Sequence, residues 1–220
     1  MSDEATVDER FDFADHSGEE WIGRQFVGCS FVECDLSELS TEGTTFTDCD
    51  FTGASLARSR HRSSAFRNCH FERTHLNKVE MADCSLVGSV ITHSRVRPLT
   101  MIDCDMSLMS IGGLDMSGVV LRGCRLREAN LTESILIGAD LSGSDLTGIR
   151  AVGVKLGQAN LRGARCDPML WLQASVTDAS VDPDQAMEFA VAHGLRIGGG
   201  DLRPTHLVRP GGLATSTTVR

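Results

Sequence analysis

The sequence lacks the features that would place a protein in a membrane or in the secretory pathway. No run of about eighteen apolar residues is present, which excludes an ordinary transmembrane helix. The first twenty residues are rich in acids and have Arg10 as their only base, whereas a signal peptide begins with basic residues. We therefore expect a cytoplasmic protein with no membrane contact.

Motifs for metal, phosphate or covalent chemistry are missing as well. The eight cysteines include no C-x-x-C pair, and no histidine lies at metal-motif spacing from two of them. The glycine-rich stretches 112–113 and 198–200 match neither a P-loop nor a dinucleotide-binding fingerprint. His61 has no Ser, Cys or carboxylate partner in register, so we interpret it as a core residue in preference to a catalytic one. The sequence thus predicts no enzyme activity, no metal and no cofactor.

What the sequence does contain is a five-residue period. From Trp21 to Val181 every fifth residue is apolar except Thr41 and His61, and no insertion shifts the register. The residue two positions before each of these centres is small or a cysteine in most repeats, as in A-[DN]-L-x-G at 139–143. Helices and strands have side-chain periods of about 3.6 and 2.0, so neither can produce this pattern. The chain must therefore coil, with one large and one small side chain of each unit pointing inward.

This pattern resembles the pentapeptide-repeat family, and the resemblance covers about three quarters of the chain. It implies an all-β solenoid, a right-handed quadrilateral β-helix with one unit on each face and twenty residues in each coil. Such repeats bury their apolar side by stacking on their neighbours. We predict a β-helix of about eight coils over residues 21–182, about 39 Å long at roughly 4.8 Å per coil.

Folding the chain at twenty residues per coil arranges its cysteines and phenylalanines in columns. Neighbouring cysteines in a column would lie about 4.8 Å apart, which would permit a disulfide. Side chains in such a ladder run parallel, however, and a cytosolic setting is reducing, so we predict buried core thiols. The aromatic columns predict a packed N-terminal half with no internal pocket. The columns are Cys29, Cys49 and Cys69; Cys84, Cys104 and Cys124; Phe26, Phe46 and Phe66; and Phe31, Phe51 and Phe71.

Three further segments are predicted outside the β-helix. We expect an acidic flexible extension over residues 1–20 and a flexible tail over residues 196–220. Between the coils and the tail, Asp182 as N-cap and Pro183 in the first turn predict a helix over residues 183–195. A helix of this length is marginal alone and must pack on something. We predict that it caps the last coil and joins two chains in a homodimer, with a cap that does not dimerise as the alternative. The predicted dimer residues are Ala186, Met187, Phe189 and Ala190.

Acids are unevenly distributed over the four predicted faces. The face centred on Trp21 and every twentieth residue after it, called the Trp21 face below, carries more acids than bases. The face centred on Leu36 is slightly basic. An acidic chain is not expected to bind nucleic acid directly, but it can bind a protein that binds nucleic acid. We predict that acids of the Trp21 face form a protein-binding surface, namely Glu42, Glu80, Asp83, Asp103 and Asp140.

Longer stretches resemble the mycobacterial fluoroquinolone-resistance members of the same family. They lie at 60–69, 71–74, 97–100, 123–128, 167–171 and 184–195. This resemblance implies a homodimer joined through C-terminal helices that imitates DNA, binds DNA gyrase, inhibits or modulates it and protects it from fluoroquinolones. Two chains end to end would measure about 80 Å, comparable with some two dozen base pairs. A scaffold solenoid that binds another protein partner is the alternative, because a fold does not by itself determine a function.

Overall fold

The computed structural model describes residues 5–198, which form a four-sided parallel β-helix followed by a helical end. Each strand pairing is parallel and joins residues twenty apart, as in Phe26 with Phe46 and Thr41 with His61. The predicted fold class is therefore confirmed. The strands are β1 (Thr6–Val7), β2 (Glu20–Ile22), β3 (Gln25–Val27), β4 (Ser40–Glu42), β5 (Thr45–Thr47), β6 (Arg60–Arg62), β7 (Ala65–Arg67), β8 (His70–Glu72), β9 (Val79–Ala82), β10 (Val90–Thr92), β11 (Leu99–Ile102), β12 (Val120–Arg122), β13 (Asp145–Leu146) and β14 (Arg165–Cys166).

The five-residue unit builds one straight face and one corner. In β2, β4 and β6 the central residue is buried and its two neighbours are exposed. At most corners the chain turns through a residue with positive φ, such as Gly53 at 71° and Asp83 at 54°. Glycine adopts this conformation without steric cost, and aspartate adopts it more readily than most other residues. Corner positions can therefore carry acids without interrupting the coil.

Aromatic side chains fill the core of the N-terminal coils. Phe46 lies between Phe26 and Phe66, with ring centroids 5.1 and 4.7 Å away and nearly parallel planes. Phe51 is stacked in the same way between Phe31 and Phe71, at 5.0 and 4.9 Å. Stacked pairs of this kind contribute about 0.5–1.5 kcal/mol beyond the burial of their surface. These columns match the predicted aromatic core, which is continued by Leu, Met, Ile and Val in later coils.

The coil starts before Trp21, so the prediction of a flexible extension over residues 1–20 is wrong for residues 5–20. Strand β1 pairs with β3, and isolated bridges join Arg10 to Ser30 and Asp15 to Asp35. Phe11 stacks on Phe31 with centroids 4.9 Å apart, so it adds one more ring to an aromatic column. The extra coil lengthens the rod by about 4.8 Å.

A short helix, α1 (Pro168–Gln173), replaces one face near the end of the β-helix. It begins after Asp167 with Pro168 in its first turn, and it buries Leu170 and Trp171. Beyond it Ser175 still bridges to Lys155, twenty residues earlier, so the helix takes up one face without shifting the register. The predicted range of uninterrupted repeats, 21–182, therefore contains a helix that the five-residue period did not reveal.

The second helix, α2 (Pro183–Ala192), covers the end of the last coil. The Asp182 N–H donates to Gln185 Oε1 at 2.8 Å, which fixes the first turn. Gln185 Nε2 in turn donates to the carbonyls of Leu161 and Ala164, both at 2.7 Å. A buried side chain thus satisfies acceptors at the open end of the coil. The described part of the predicted tail ends at residue 198, and residues 199–220 lie outside it.

His61, a polar centre inside the coil, is satisfied by local hydrogen bonds. His61 is 1% exposed, and its two ring nitrogens lie 2.8 Å from Thr41 Oγ1 and 2.9 Å from Ser59 Oγ. Burial lowers the pKa of His61 to about 3, so the ring is neutral. It is the satisfied core histidine that the sequence favoured over a catalytic one. The expectation that no serine would lie beside it is wrong, because Ser59 occupies the small inward slot of the same unit.

The cysteines are free thiols, and all except the half-buried Cys166 are buried. Cys69 Sγ, for example, donates to the Phe46 carbonyl of the preceding coil at 3.5 Å. Across residues 5–198 no group of His, Cys, Asp and Glu side chains is arranged to hold a metal ion. The same residues include no helix with the length and hydropathy to cross a bilayer.

Candidate protein-binding surface

The five acids predicted from the sequence all lie on or beside one sheet. This six-stranded sheet forms the Trp21 face, in the order β12-β11-β9-β6-β4-β2. Glu42 ends β4, Glu80 lies in β9, and Asp140 bridges to Val120 in β12. Asp83 and Asp103 occupy the corner that follows β9 and β11. From the first to the last of these acids the face runs for about 24 Å along the axis.

Two of the five acids are paired with arginines of a neighbouring coil. Glu80 Oε2 lies 3.4 Å from Arg60 Nε, and Asp140 Oδ2 lies 3.7 Å from Arg122 Nε. Asp140 also accepts a hydrogen bond from Asn160 Nδ2 at 3.1 Å. Exposed ion pairs contribute little to stability, about 0–1 kcal/mol. They do neutralise part of the negative charge that a partner would meet on this face.

The other three acids form no ion pair with any residue in the described range. Glu42, Asp83 and Asp103 are exposed, and Asp83 and Asp103 lie at the same corner of successive coils with φ of 54° each. A Cβ atom at Gly123 would come within 2.1 Å of Asp103 Oδ1, so the carboxylate lies over that glycine. Two unpaired carboxylates one coil apart repel each other weakly and attract a cationic partner.

The larger asymmetry lies along the axis of the rod, where the sequence predicts an acidic block without any Lys or Arg over residues 33–50. We call residues 5–57 the acidic coils, because Arg10 and Arg24 are their only Lys or Arg side chains. In residues 58–165, the mixed coils, bases outnumber acids. The predicted block did not include the first coil, although Phe11 and His16 continue the five-residue grid. The acids of the acidic coils are Asp8, Glu9, Asp12, Asp15, Glu19, Glu20, Glu33, Asp35, Glu38, Glu42, Asp48 and Asp50.

Hydrogen bonds lower the pKa of several carboxylates of the acidic coils. The Ser30 hydroxyl is the main cause of a lowered pKa at Asp12, with smaller contributions from Arg10 and the Val32 N–H. The pKa of Glu19 is lowered first by the hydrogen bond from His16 and then by that from Trp21 Nε1, 2.6 Å away. A surface of charged carboxylates almost without bases attracts cationic partners over a distance of about a Debye length.

The surface of the mixed coils is instead covered by ion pairs between successive coils. Asp115 Oδ2 lies 2.7 Å from Arg97 Nη2, and Asp105 Oδ2 lies 2.9 Å from Arg125 Nη1. Asp145 and Arg127 approach to 3.5 Å. Because bases outnumber acids in this part of the rod, it carries a net positive charge in addition to these pairs.

The residues predicted for dimerisation are only partly exposed on the surface of α2. Ala186 is exposed, while Met187, Phe189 and Ala190 are half-buried. Phe189 packs edge-on against Trp171 of α1, with ring centroids 6.0 Å apart. Exposed apolar patches often mark interaction sites, and this patch extends beyond α2. Its other exposed members are Met169, Leu172, Val191, Leu195 and Ile197.

A family model for pentapeptide repeats matches this chain in eight copies, over residues 26–60 and 115–150. The parallel coil with one five-residue unit on each face is the architecture that this repeat pattern predicts. The chain is a pentapeptide-repeat protein.

Among curated proteins the chain is similar to the pentapeptide repeat protein MfpA of Mycobacterium tuberculosis. The two are 50% identical over 98 residues, which are 44% of this chain and 54% of MfpA. MfpA of Mycolicibacterium smegmatis is 45% identical over 54 residues, 24% of this chain and 28% of that protein. The chain thus spans about half the length of the first relative and less of the second.

Solved structures of QnrB1, a plasmid-mediated fluoroquinolone resistance protein, have a similar fold. A trypsin-treated form gives a TM-score of 0.61 at 22% identity and covers 88% of this chain and 97% of QnrB1. Full-length QnrB1 gives a TM-score of 0.53 at 18% identity, covering 87% and 97%. At this level of identity the likeness concerns the fold alone.

Proposed function

We propose that this protein is a cytoplasmic DNA mimic that binds DNA gyrase, modulates its supercoiling activity and protects it from fluoroquinolones. It acts by binding and catalyses no reaction. The observation that carries the proposal is the surface of the acidic coils, where carboxylates lie on a slim rod almost without bases. A groove built to hold duplex DNA is lined with cations, so it would bind such a surface for the same electrostatic reason.

The unpaired acids of the Trp21 face extend this surface beyond the acidic coils. Glu42 belongs to the acidic coils, and Asp83 and Asp103 continue the unpaired carboxylates along the corner of the same face. Glu80 and Asp140 would contribute less, because Arg60 and Arg122 already lie beside them. We expect gyrase to contact the acidic coils first and the corner of Asp83 and Asp103 next.

The comparisons support the class of partner. The first curated relative, MfpA, shares half of the residues in the matched segment. QnrB1, whose fold is similar, is a fluoroquinolone resistance protein. Drug protection is an expected result when a protein competes with DNA on the enzyme that the drug traps on DNA.

We also propose that two copies join through α2 and the apolar side chains next to it. Ala186, Met187, Phe189 and Ala190 would form the centre of the contact, and Met169 and Leu172 of α1 would extend it. The acidic coils lie at the opposite end of the chain. A dimer joined in this way would carry one acidic surface at each tip of a rod of about 90 Å.

A scaffold solenoid that binds a different protein is the second candidate. It is favoured by the mixed coils, whose excess of bases is unlike a DNA surface. The two candidates make different predictions for gyrase, because a scaffold for another partner would leave its supercoiling activity unchanged.

The test is a supercoiling and DNA-cleavage assay with purified gyrase, with and without a fluoroquinolone. We expect this protein to lower the rate of supercoiling and to reduce the drug-stabilised cleavage complex, and we expect both effects to weaken as salt rises. Unchanged supercoiling and unchanged cleavage at saturating protein would refute gyrase as the partner. A matched run with bovine serum albumin controls for nonspecific effects of an acidic protein.

A further inference from the structure

One exposed side chain of the acidic coils is neither charged nor part of the core. Phe13 lies at a corner of the first coil and is 79% exposed. Phe11, two residues earlier, is half-buried and supplies the ring that stacks on Phe31. The aromatic column is thus complete without Phe13, and packing of the core does not explain a phenylalanine at this corner.

The backbone at this corner is also unfavourable for a large apolar residue. Phe13 has a φ of 61°, which lies in the left-handed region that favours glycine. Within residues 5–198 every other residue with positive φ is glycine or polar, apart from Leu108. Backbone strain that persists at a position the core does not need is typical of functional sites.

Hydrogen bonds hold the backbone of this corner in place. The Phe13 N–H donates to the Val32 carbonyl at 2.9 Å, and the Val32 N–H donates to Asp12 Oδ1 at 3.1 Å. The Ala14 N–H closes the turn on the Phe11 carbonyl at 3.1 Å. A partner that buried the Phe13 ring would therefore not have to order the corner first, which lowers the cost of binding.

Carboxylates surround the Phe13 corner. Asp12 precedes it, Asp15 follows two positions later, and Glu33 occupies the same corner of the next coil, about 4.8 Å along the axis. Asp15 and Glu33 are exposed and form no ion pair with a described residue. A second copy of this corner would bring like charges together, so it does not fit. The partner surface that fits is an apolar pocket with a basic rim.

We propose that Phe13 is the apolar anchor with which the acidic coils bind gyrase, inserted into a pocket of the enzyme whose rim is basic. The inference rests on the proposed function and adds a selectivity that charge alone does not supply. Carboxylates on a rod attract any protein that binds DNA, mainly by speeding association. A buried aromatic ring inside the contact slows dissociation and distinguishes one partner from the others.

The test is the binding of full-length variants to purified gyrase, measured by surface plasmon resonance at two salt concentrations. We expect Phe13→Gly to weaken binding about 10- to 100-fold, mainly through faster dissociation and by nearly the same factor at both salt concentrations. Phe13→Glu should also weaken binding at least about tenfold, although it adds an acid. A surface that binds by charge alone predicts the opposite sign for this variant, because an extra carboxylate would strengthen the contact.

Leu108 provides the matched controls in the mixed coils. It is 57% exposed at another corner with the same φ of 61°, and Glu128 follows it one coil later as Glu33 follows Phe13. Leu108→Gly and Leu108→Glu should bind gyrase within about twofold of the wild type. Thermal unfolding should show that none of the four variants is destabilised, since glycine and glutamate both occupy these two corners in other coils.

Unchanged or tighter gyrase binding by the Phe13 variants would overturn the proposal, and so would an equal loss in the Leu108 variants. A loss of self-association with unchanged gyrase affinity would overturn it too, and would assign Phe13 to a contact between copies. If the wild type itself does not bind gyrase, the proposed function fails together with this inference. The two failures are therefore distinguishable in one experiment.

Discussion

The acidic coils and the mixed coils use the same five-residue unit but differ in both core and surface. The acidic coils are built on Trp21 and stacked phenylalanines, and their surface holds many acids with Arg10 and Arg24 as the only Lys or Arg residues. The mixed coils have an aliphatic core after Phe71, and arginines of one coil pair with acids of the next. Core and surface therefore vary independently along one continuous β-helix.

This independence follows from the geometry of the unit. Only the centre and the small residue two positions earlier face the core, so the three remaining positions are free to change without affecting the packing. A solenoid can thus hold a strongly acidic segment beside one in which bases are in excess. We expect the aromatic core to stiffen the acidic coils against the mutual repulsion of the acids on their surface.

The largest effect is expected in the aromatic core of the acidic coils. Phe46→Ala should lower the free energy of unfolding by about 4 kcal/mol, because it removes a fully buried ring that is stacked on both sides. Leu126→Ala, on the same face in the mixed coils, is the matched control and should cost about 3 kcal/mol. Urea unfolding measures both. A smaller loss at Phe46 than at Leu126 would contradict the stabilising role of the aromatic column.

Charge reversal in the acidic coils should have the next largest effect. Changing Glu33, Glu42 and Asp48 to lysine should weaken gyrase binding about 100-fold, because these exposed acids have no ion pair to compensate. Surface plasmon resonance at two salt concentrations measures the affinity. A matched triple reversal in the mixed coils should weaken gyrase binding less than about tenfold. An equal loss of affinity in the two variants would contradict the proposal that gyrase contacts the acidic coils first. The matched positions are Glu128, Glu133 and Asp140.

A smaller effect is expected at the corner of Asp83 and Asp103. Replacing both with glycine, the residue at this corner in later coils such as Gly143, should change stability by less than about 1 kcal/mol. Gyrase affinity should fall about tenfold with the loss of two unpaired charges. Glu80→Gln with Asp140→Asn removes the same charge from paired acids and should cost at most about threefold. Equal losses of gyrase affinity in the two double variants would show that the contribution of an acid to binding does not depend on whether an arginine is paired with it.

The smallest effect concerns His61 at the start of the mixed coils. The folded-state pKa is about 3, and unfolding would allow the ring to bind a proton below about pH 6.5. Acidification therefore favours the unfolded chain, and stability should fall by about 1 kcal/mol per pH unit between pH 6 and 4. His61→Gln should flatten this slope. Thermal unfolding across that range measures it, and an unchanged slope in the variant would disprove the assignment.

Much of the fold could be predicted, because a five-residue period is compatible with very few backbones. The prediction made from this period was wrong at the two ends of the coil, for physical reasons. At the N-terminus, Glu9 occupies a slot that is usually small, and the dense acids suggested a loose segment although Phe11 was in register. Near the C-terminus, Trp171 stayed at a five-residue position although Pro168 started a helix, and Ser175 still bridges to Lys155, so the count of residues did not reveal the helix.

The candidate surface could be predicted less well. The sequence identified the acids of the Trp21 face, but whether an acid is paired depends on side chains eighteen to twenty residues away. Arg60 reaches Glu80 in this way, whereas Asp83 has no such neighbour among residues 5–198. Rotamers on exposed positions decide these pairs, and the repeat pattern contains no information about them.

The central claim is that the acidic coils occupy the site on gyrase that holds DNA. A fluorescently labelled duplex of about 24 base pairs, bound to gyrase and titrated with this protein, tests it directly by anisotropy. The wild type should displace the duplex completely, while the Glu33, Glu42 and Asp48 lysine variant should displace little at the same concentration. Binding of the wild type to gyrase without displacement of DNA, or equal displacement by the variant, would contradict the account.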